Sequence, residues 1–336
     1  MAGAVHGGAE AFFVRMVEAL HESGLEQSCV LRPGDGREGR LARAGLAVHT
    51  APFRTLFDFA TKRVLQDTIN QFEPDIILAW MSRAADMMPN PQSKAVFAAR
   101  LGGFYHLKYF ARCDHLIGNT YYLVDWLAAQ GWPKERLHYL PNFTDAVPAM
   151  AIDRAALDTP PDVPVILSLG RFHDDKAFDV LIPALAQIPR AILWLGGDGA
   201  RAGQLRAQAR HLGVDSRIRW LGWRKDVAAL AAAADVLACP SRVEPLGNVV
   251  LEAWAYGLPV VAASASGPQE LIVDGQTGVL VPKEDADALA RGLDRVLGDR
   301  PFAQDLADRA KAHVNSHFSK AAVTAAYLDF FETVKR

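Results

Sequence analysis

The sequence predicts an α/β protein built from two doubly wound, parallel-sheet domains in tandem. Three observations carry this expectation. Short apolar runs alternate with helical patterns along the whole chain. The runs are too many for one compact sheet, and 336 residues, 50% of them hydrophobic, suit two domains of about 150 residues each. A proline-rich stretch with no sustained period, "PNFTDAVPAMAIDRAALDTPPDVP" (141–164), divides the runs into two series. The expected divisions are a first domain over 1–143, a linker over 144–160 and a second domain over 161–316.

The first series begins with "HGGAE" at 6–10, a glycine turn opening into a helix. Strands follow at "SCVLR", "LAVHT", "PDIILAW", "SKAVFAAR", "HLIGNT" and "RLHYL", some with helical patterns between them. A doubly wound domain normally enters its first turn from a central strand. Here Met1–Val5 supply at most the end of one, so the first strand is expected to be truncated and the true start to lie upstream. The stretch "FRTLFDFATKRVLQ" (53–66) mixes aromatics with Arg54, Lys62 and Arg63. An amphipathic helix packed on its own domain is the preferred reading; contact with a membrane surface is the alternative.

The second series reads "VPVILSLG", "AILWLGGDG", "RIRWLG", "DVLACPS", "PVVAA" and "GVLVP", again with helices interleaved. The tail "FSKAAVTAAYLDFFETVKR" has the apolar spacing of a helix.

Composition narrows the function. A formal charge of −2 gives no electrostatic case for nucleic acid. Cys29, Cys113 and Cys239 form no CxxC pair and suit free thiols in a reducing compartment. No apolar run reaches the ~18 residues of a membrane span; "VAALAAAADVLAC" is broken by Asp235. A cytosolic protein is expected, with peripheral attachment to a membrane face left open.

Four motifs are candidates for chemistry. In "HGGAE", Gly7 and Gly8 precede a helix whose N-terminal N–H groups attract phosphate; a tight turn needing positive φ explains them equally well. In "LGRFHDDKAFDVLIPAL" (169–185) a strand ends at Gly170, Arg171 emerges at its carboxyl end, and Lys176 stands at the mouth of a helix. Ligands of open α/β sheets bind at that edge, where two cations can hold a diphosphate. His173 is read as a surface loop residue. "LGGDG" (195–199) does not complete GxGxxG and reads as a glycine turn.

The fourth motif is "EPLGNVVLE" (244–252). Pro245 suits a first helical turn and Gly257 a helix stop, so the helix is expected to begin near Leu246. The N–H groups of Leu246, Gly247, Asn248 and Val249 then open at its N-terminus between two carboxylates. A carboxylate accepts two hydrogen bonds at once, which matches a vicinal diol. Helix-dipole compensation accounts for Glu244 but poorly for Glu252, which stands in an otherwise apolar run.

These residues together resemble the retaining glycosyltransferases of the GT-B fold, family 4. "GGAE" resembles that family's first glycine loop. "PNFTD" resembles its interdomain PNGVD, with Phe143 for glycine, and "GRFHDDKAFDVL" its GRLxxxKGxDxL, with Ala177 for glycine. "LACPSRVEPLGNVVLEAWAYGLPVVA" resembles its E-x7-E region, and "ASGPQELIVDGQTGVLVP" the segment after it. The five motifs lie in family order across most of the chain.

The resemblance implies a cleft between the domains, with a nucleoside-diphosphate sugar on the second domain and the acceptor on the first. Glu252 would bind ribose hydroxyls and Glu244 hydroxyls of the transferred sugar. Arg171 and Lys176 would stabilise the leaving diphosphate, with Gly170 beside them and Gly7 and Gly8 approaching from the other domain. The helix over 317–336 would pack back on the first domain. No cofactor is implied, and with two cations in place no metal is required. A UDP-sugar is the preferred donor, with GDP- and ADP-sugars as alternatives, and Trp223 and Arg224 are placed beside the base. The acceptor would be a glycan or a lipid-linked glycan of lipopolysaccharide or surface polysaccharide assembly.

The chain departs from the family where a histidine often stands near the reacting sugar: it has Arg100, Leu101 and Gly102 there. His106 and Arg83 are the acceptor-side candidates instead. Two other functions compete: a nicotinamide-dependent oxidoreductase, which two doubly wound domains also suit, and a non-catalytic sugar-nucleotide binder.

Overall fold

In the computed structural model the twelve apolar runs named above each form a strand. The structure describes all residues except 4–6, 35, 55–57, 90–93, 146, 148 and 336. The chain divides into two compact units, residues 1–143 with 320–336, and residues 144–319.

The first unit holds β1 (Ser28–Leu31), β2 (Ala47–Thr50), β3 (Ile76–Trp80), β4 (Val96–Leu101), β5 (His115–Gly118) and β6 (Leu137–Tyr139). Between them run α1 (Gly8–Glu22), α2 (Arg37–Arg43), α3 (Phe59–Phe72), α4 (Met81–Met87) and α5 (Tyr121–Ala129). All strand pairs are parallel, but they form two sheets: β1 with β2, and β3 through β6 in sequence order. Every residue of β4 is buried, as expected where helices cover both faces. Its residues alternate between two cores. Val96 and Ala98 join Phe12 and Met16 of α1, while Phe97, Ala99 and Leu101 join Leu65 of α3 and Leu123 of α5.

Helix α3 is the amphipathic stretch singled out above, of which residues 55–57 lie outside the described residues. Asp58 caps it by accepting from Thr61 N–H at 2.9 Å. Thr61, Leu65 and Ile69, at a spacing of four, turn inward. Phe59, Lys62 and Arg63 stay exposed.

The second unit holds β7 (Val165–Leu169), β8 (Ile192–Gly196), β9 (Ile218–Gly222), β10 (Val236–Cys239), β11 (Val260–Ala263) and β12 (Val279–Val281). Its helices are α6 (Phe178–Ala186), α7 (Ala202–His211), α8 (Val227–Ala233), α9 (Asn248–Ala255), α10 (Ser266–Leu271), α11 (Ala286–Gly298) and α12 (Arg300–His317). The sheet is parallel, in the order β12-β11-β10-β7-β8-β9. The chain thus builds outward from β7 to β9, then returns to place β10 on the other side of β7. That reversal is a topological switch point. One core gathers Leu181 of α6, Leu205 of α7 and Leu293 of α11; the opposite core gathers Leu230 of α8, Trp254 of α9 and Val314 of α12. Helices α6 and α9, which follow β7 and β10, therefore lie on opposite faces of the sheet and leave a crevice at its carboxyl edge.

Pro183 lies inside α6 and cannot donate to the carbonyl of Asp179. Gln208 of α7 supplies that bond through Nε2 at 2.9 Å.

The stretch expected as a linker is strapped to the second unit. Ile152 N–H donates to Ala229 O at 3.1 Å. Arg154 donates to the carbonyls of Ala233 and Val163 and pairs with Asp235 at 3.0 Å. Trp194 Nε1 donates to Thr159 Oγ1 at 2.9 Å. Hydrogen bonds to backbone hold this segment, and they leave no trace in hydrophobic period. The final helix, α13 (Lys320–Val334), belongs to the first unit, where Tyr327 and Phe330 enter the core beside α1.

Candidate active site

The loops leaving β7 and β10 meet at the switch point. From the first, Gly170 N–H donates to Gly196 O at 2.9 Å, which ties the end of β7 to the end of β8. The contact is so close that a Cβ on Gly197 would stand 1.8 Å from Gly170 O, and one on Gly199 2.5 Å from Phe172 O. This is why "LGGDG" needs its glycines: they admit the neighbouring loop, as the glycine-turn reading requires. Arg171 then projects into solvent. A short 3-10 turn over Asp174–Lys176 delivers Lys176, and Ala177 follows in the left-handed region at φ 52°. His173 is exposed and pairs with Asp175 at 3.2 Å, a surface loop residue as read above.

From the second loop comes Glu244. Lys176 Nζ donates to Glu244 Oε2, and Ser241 Oγ donates to the same oxygen at 3.2 Å. Burial pulls the lysine pKa down, but the Glu244 carboxylate more than offsets this and holds it above the ordinary value. Lys176 is therefore charged throughout the neutral range. Arg171 is near enough for its charge to oppose that of Lys176. The side chain of Lys176 also lies against Gly170, where a Cβ would meet its Cγ and Cδ at 3.4 Å. The structure thus brings Gly170, Arg171, Lys176 and Glu244 together.

Sequence reasoning missed the residue that latches the two loops. Arg242 donates to both carboxylate oxygens of Asp179, at 2.8 and 2.7 Å, and to Glu284 Oε2 at 2.9 Å. Its guanidinium also reaches Asp174 O at 2.9 Å, and its own N–H donates to Asp175 O at 2.8 Å. The Arg242 bonds hold Asp179 below the usual carboxylate range. An arginine two residues before the first glutamate, with an aspartate in the first turn of α6, was the available signal.

The helix after Glu244 begins later than expected. Gly247 takes φ 93° and cannot be helical, so α9 opens at Asn248 and Pro245 stands in the turn before it. Leu246 is buried, and its carbonyl abuts Gly267, where a Cβ would fall 2.3 Å away. Gly267 N–H donates to Glu244 O at 2.8 Å, so the α10 loop braces the backbone of the first glutamate. Asn248 and Val249 open the helix. Glu252 is half-buried on α9 and lines a small recess with Leu169, Val227 and Tyr256.

Trp223 and Arg224 follow β9, at the far edge of the sheet. Trp223 is 63% exposed, and Arg224 pairs with Asp226 at 2.8 Å. Asp285 and Asp287 form an Asp-x-Asp pair that the motif reading passed over. Asp285 caps α11 by accepting from Ala288 N–H at 2.8 Å, and Asp287 accepts from Gln187 at 2.7 Å. Among the described residues no group of three or more His, Cys, Asp or Glu side chains is placed to hold a metal ion.

The remaining candidates lie in the first unit. Gly7 precedes α1 at φ 170°, an extended conformation open to any residue, so positive φ is not its purpose. Its role is space. A Cβ there would fall 2.2 Å from Glu10 Oε2, and one on Gly3 2.2 Å from Glu10 Oε1. The Glu10 carboxylate folds back into the glycine loop beside Gly8, the first residue of α1. His106 is exposed and its Nδ1 accepts from Lys108 N–H at 3.3 Å; Arg83 is exposed on α4. Arg100 is 1% exposed. It donates to Tyr327 Oη at 2.8 Å and to Asn142, and stacks over Phe12 and Trp80 at 4.8 and 4.9 Å. It ties α13 to β4.

Comparison with known proteins agrees with this geometry. Residues 150–313 match the sequence model of glycosyl transferases group 1. The lipopolysaccharide core biosynthesis glycosyltransferase LpsE of Rhizobium meliloti is 39% identical over 96% of this chain and 95% of its own length. LpsD of the same organism is 35% identical over 97% and 95%. Among solved structures, Anabaena HepE in complex with UDP and glucose superposes at a TM-score of 0.84, with 22% identity over 99% of this chain and 98% of its own. WaaG, a glycosyltransferase involved in lipopolysaccharide biosynthesis, superposes at 0.72, with 19% identity over 97% and 96%. Two parallel Rossmann-like units, a cation–carboxylate pair at a switch point and relatives of matching length lead to one assignment: the chain belongs to the glycosyl transferases group 1 and has the GT-B fold.

Proposed function

We propose that this protein is a retaining, metal-independent glycosyltransferase of lipopolysaccharide or surface polysaccharide assembly, with a UDP-sugar as donor. The observation that carries the reading is the contact of Lys176 with Glu244 at the switch point of the second unit, with Arg171 close by. Glycosyl transfer breaks the bond between the anomeric carbon and a diphosphate oxygen and makes one to an acceptor hydroxyl. Negative charge grows on the departing diphosphate, and the acceptor proton passes to it. Two cations already in position lower that barrier without reorganisation. Glu244, pinned by Lys176 and Ser241, is oriented to accept from hydroxyls of the transferred sugar. It is a positioning group and not a nucleophile. Glu252 takes the ribose hydroxyls, and the backbone of Leu246, Gly247, Asn248 and Val249 faces sugar and phosphate. Trp223 and Arg224 are the base-side candidates.

The second unit thus holds the donor, and the first, with His106 and Arg83 as candidates, the acceptor. The likeness to LpsE and LpsD supports an acceptor of the lipopolysaccharide core. The UDP in the HepE structure supports the choice of base. No helix among the described residues is long and apolar enough to cross a membrane. A cytoplasmic enzyme that touches the membrane face peripherally to meet a lipid-linked acceptor fits the whole reading.

Calorimetry with UDP-, GDP- and ADP-sugars, followed by turnover on core oligosaccharide in EDTA, tests it. Binding of a UDP-sugar and undiminished transfer in EDTA are the expected results. Thermal stabilisation by NADH alone would return the oxidoreductase reading. Binding without transfer from any donor would leave a sugar-nucleotide binder, and activity rescued only by Mg²⁺ would overturn metal independence.

A further inference from the structure

Three neighbouring strands of the first unit, β4, β5 and β6, bring aromatic side chains to their common carboxyl edge. Phe104 stands three residues past the end of β4, Tyr121 and Tyr122 open α5 after β5, and Tyr139 ends β6. The rings form two groups. Tyr121 stacks on Tyr139, with centroids 3.9 Å apart. Phe104 packs edge-on against Tyr122 at 5.7 Å and against Trp126, one turn further along α5, at 5.2 Å. Aromatic side chains usually hide most of their surface, yet Tyr121 and Tyr122 are 59% and 54% exposed, and Phe104 is exposed beside them. A contiguous apolar patch of this kind marks a binding surface.

The composition of the patch selects its ligand. At 100° per residue, Asp125 lies between Tyr121 and Tyr122 around the helix, and it is exposed. It is the one charged residue of α5. Aromatic faces beside a carboxylate suit a pyranose: the C–H face of the sugar stacks on a ring while its hydroxyls donate to the carboxylate. A helix that lies on an anionic membrane carries Lys or Arg on its polar face, and α5 has neither. Asp125 also repels a phosphate or an acidic sugar. A second observation points to a ligand. Asn119, the residue after β5, is 4% exposed, and its Oδ1 has no hydrogen-bond partner among the described residues. A buried amide oxygen without a partner carries a desolvation cost. It stands two residues before the tyrosines, where a ligand hydroxyl, or a water held by the ligand, can supply the missing donor.

We propose that the exposed face of α5 is an acceptor subsite for a neutral, non-reacting pyranose, stacked on Tyr122 and Phe104 with its hydroxyls on Asp125. The inference rests on the reading of the first unit as the acceptor side. Ligands of open α/β sheets gather at the carboxyl edge, and this shelf stands at that edge of the first unit. Tyr122, Phe104 and Asp125 are specificity residues: they choose which glycan is held, through binding energy from a part of the acceptor that does not react.

The test measures binding before turnover. Lipid-free core oligosaccharide is titrated by calorimetry and observed by saturation-transfer NMR, with irradiation of the aromatic protein signals. The strongest transfer is expected on ring C–H protons of a neutral sugar. Tyr122→Ala and Asp125→Asn should each raise the Kd of the oligosaccharide about 3–10-fold, the worth of one stacked ring or one charged hydrogen bond, and leave the Kd of UDP unchanged. Tyr122→Phe should keep the affinity, because it keeps the ring. In turnover assays the loss should fall on the KM of the acceptor and not on kcat. No oligosaccharide binding by the unaltered protein, or equal Kd in all variants, overturns the proposal. So does strongest transfer to an acidic sugar. Loss of binding to phosphatidylglycerol vesicles in Tyr122→Ala, with oligosaccharide affinity unchanged, also overturns it and makes the patch a membrane contact. Binding at the shelf with no transfer from any donor would refute the glycosyltransferase reading alone, so the two failures are distinguishable.

Discussion

Lys176 donates a hydrogen bond to Glu244 across 68 positions of sequence, because one follows β7 and the other β10, and those strands are neighbours at the switch point. The pair is mostly buried, with side chains 26% and 11% exposed. Neither residue is spare in the absence of substrate: each satisfies the other. On the proposed reading, donor binding would bring a phosphate to a lysine that already holds a carboxylate, with Arg171 as the second cation.

Replacing Lys176 by Ala should lower both catalysis and stability, and a double variant separates the two. Turnover should fall by about 10²–10³-fold, the usual loss for one preorganised group at a developing charge. Stability should also drop by about 1–3 kcal/mol, because among the described residues the Glu244 side chain keeps only Ser241 as a partner. The double variant Lys176→Met with Glu244→Gln should recover most of that stability and none of the turnover. Urea midpoints and kcat measured on all variants check both halves. A double variant no more stable than Lys176→Ala would mean the pair is not coupled as described.

Arg242 is predicted to act through the loops it ties together. Arg242→Ala removes a two-oxygen contact with Asp179 and a contact with Glu284. It should cost about 1–2 kcal/mol, discounted because the group is a quarter exposed. It should lower kcat/KM by roughly 10-fold, about 1.4 kcal/mol of transition-state stabilisation. Arg242→Lys should recover little of either, since an ammonium cannot form the planar fork. Full activity in Arg242→Ala would show that the loops keep their positions without the latch.

The strands were legible because each is a local apolar run bounded by turn residues, and "HLIGNT" or "GVLVP" needs no partner to be read. The helix opening at Asn248 was read two residues early, because Pro245 gives a local start signal that the left-handed Gly247 overrides. Arg171 and Lys176 could be named from the end of one strand and the mouth of the next helix, since the carboxyl edge of a parallel sheet gathers whatever follows its strands; Glu244 could be named from its place just before a helix N-terminus. Arg242 could not, because its value lies in Asp179 and Glu284, 63 and 42 positions away. Arg100 was noted only where the family carries another residue. Its burial depends on Tyr327, 227 positions away, which no local pattern reports. The glycines of "LGGDG" were visible, but what they make room for, the Gly170 carbonyl, emerges only when the loops are in place.

Glu252→Ala should weaken nucleotide binding by about 10–100-fold, the worth of hydrogen bonds to a charged group, with no matching loss of stability. Glu252 is half-buried at the rim of a recess and not in the centre of the core. Titration with UDP by calorimetry measures the first effect and thermal denaturation the second. Unchanged affinity would remove Glu252 from the donor site and leave Glu244 as the only carboxylate with a role there.

The histidine pair of the first unit sets an acid limit on the fold. His115 Nδ1 lies 3.0 Å from His138 Nε2, with the Phe330 ring of α13 packed 4.7 Å from His138. Burial, and then the neighbouring imidazole, push His138 down to about 4. A histidine that is neutral in the folded chain and protonates near 6.5 when unfolded binds fewer protons in the native state between those values. Stability should therefore rise with pH from about 4 to about 6.5, and this contribution should be constant above. His138→Gln should flatten that part of the curve, by about 1–2 kcal/mol once partial exposure is allowed for. Urea midpoints at half-unit steps between pH 4 and 8 give the measurement.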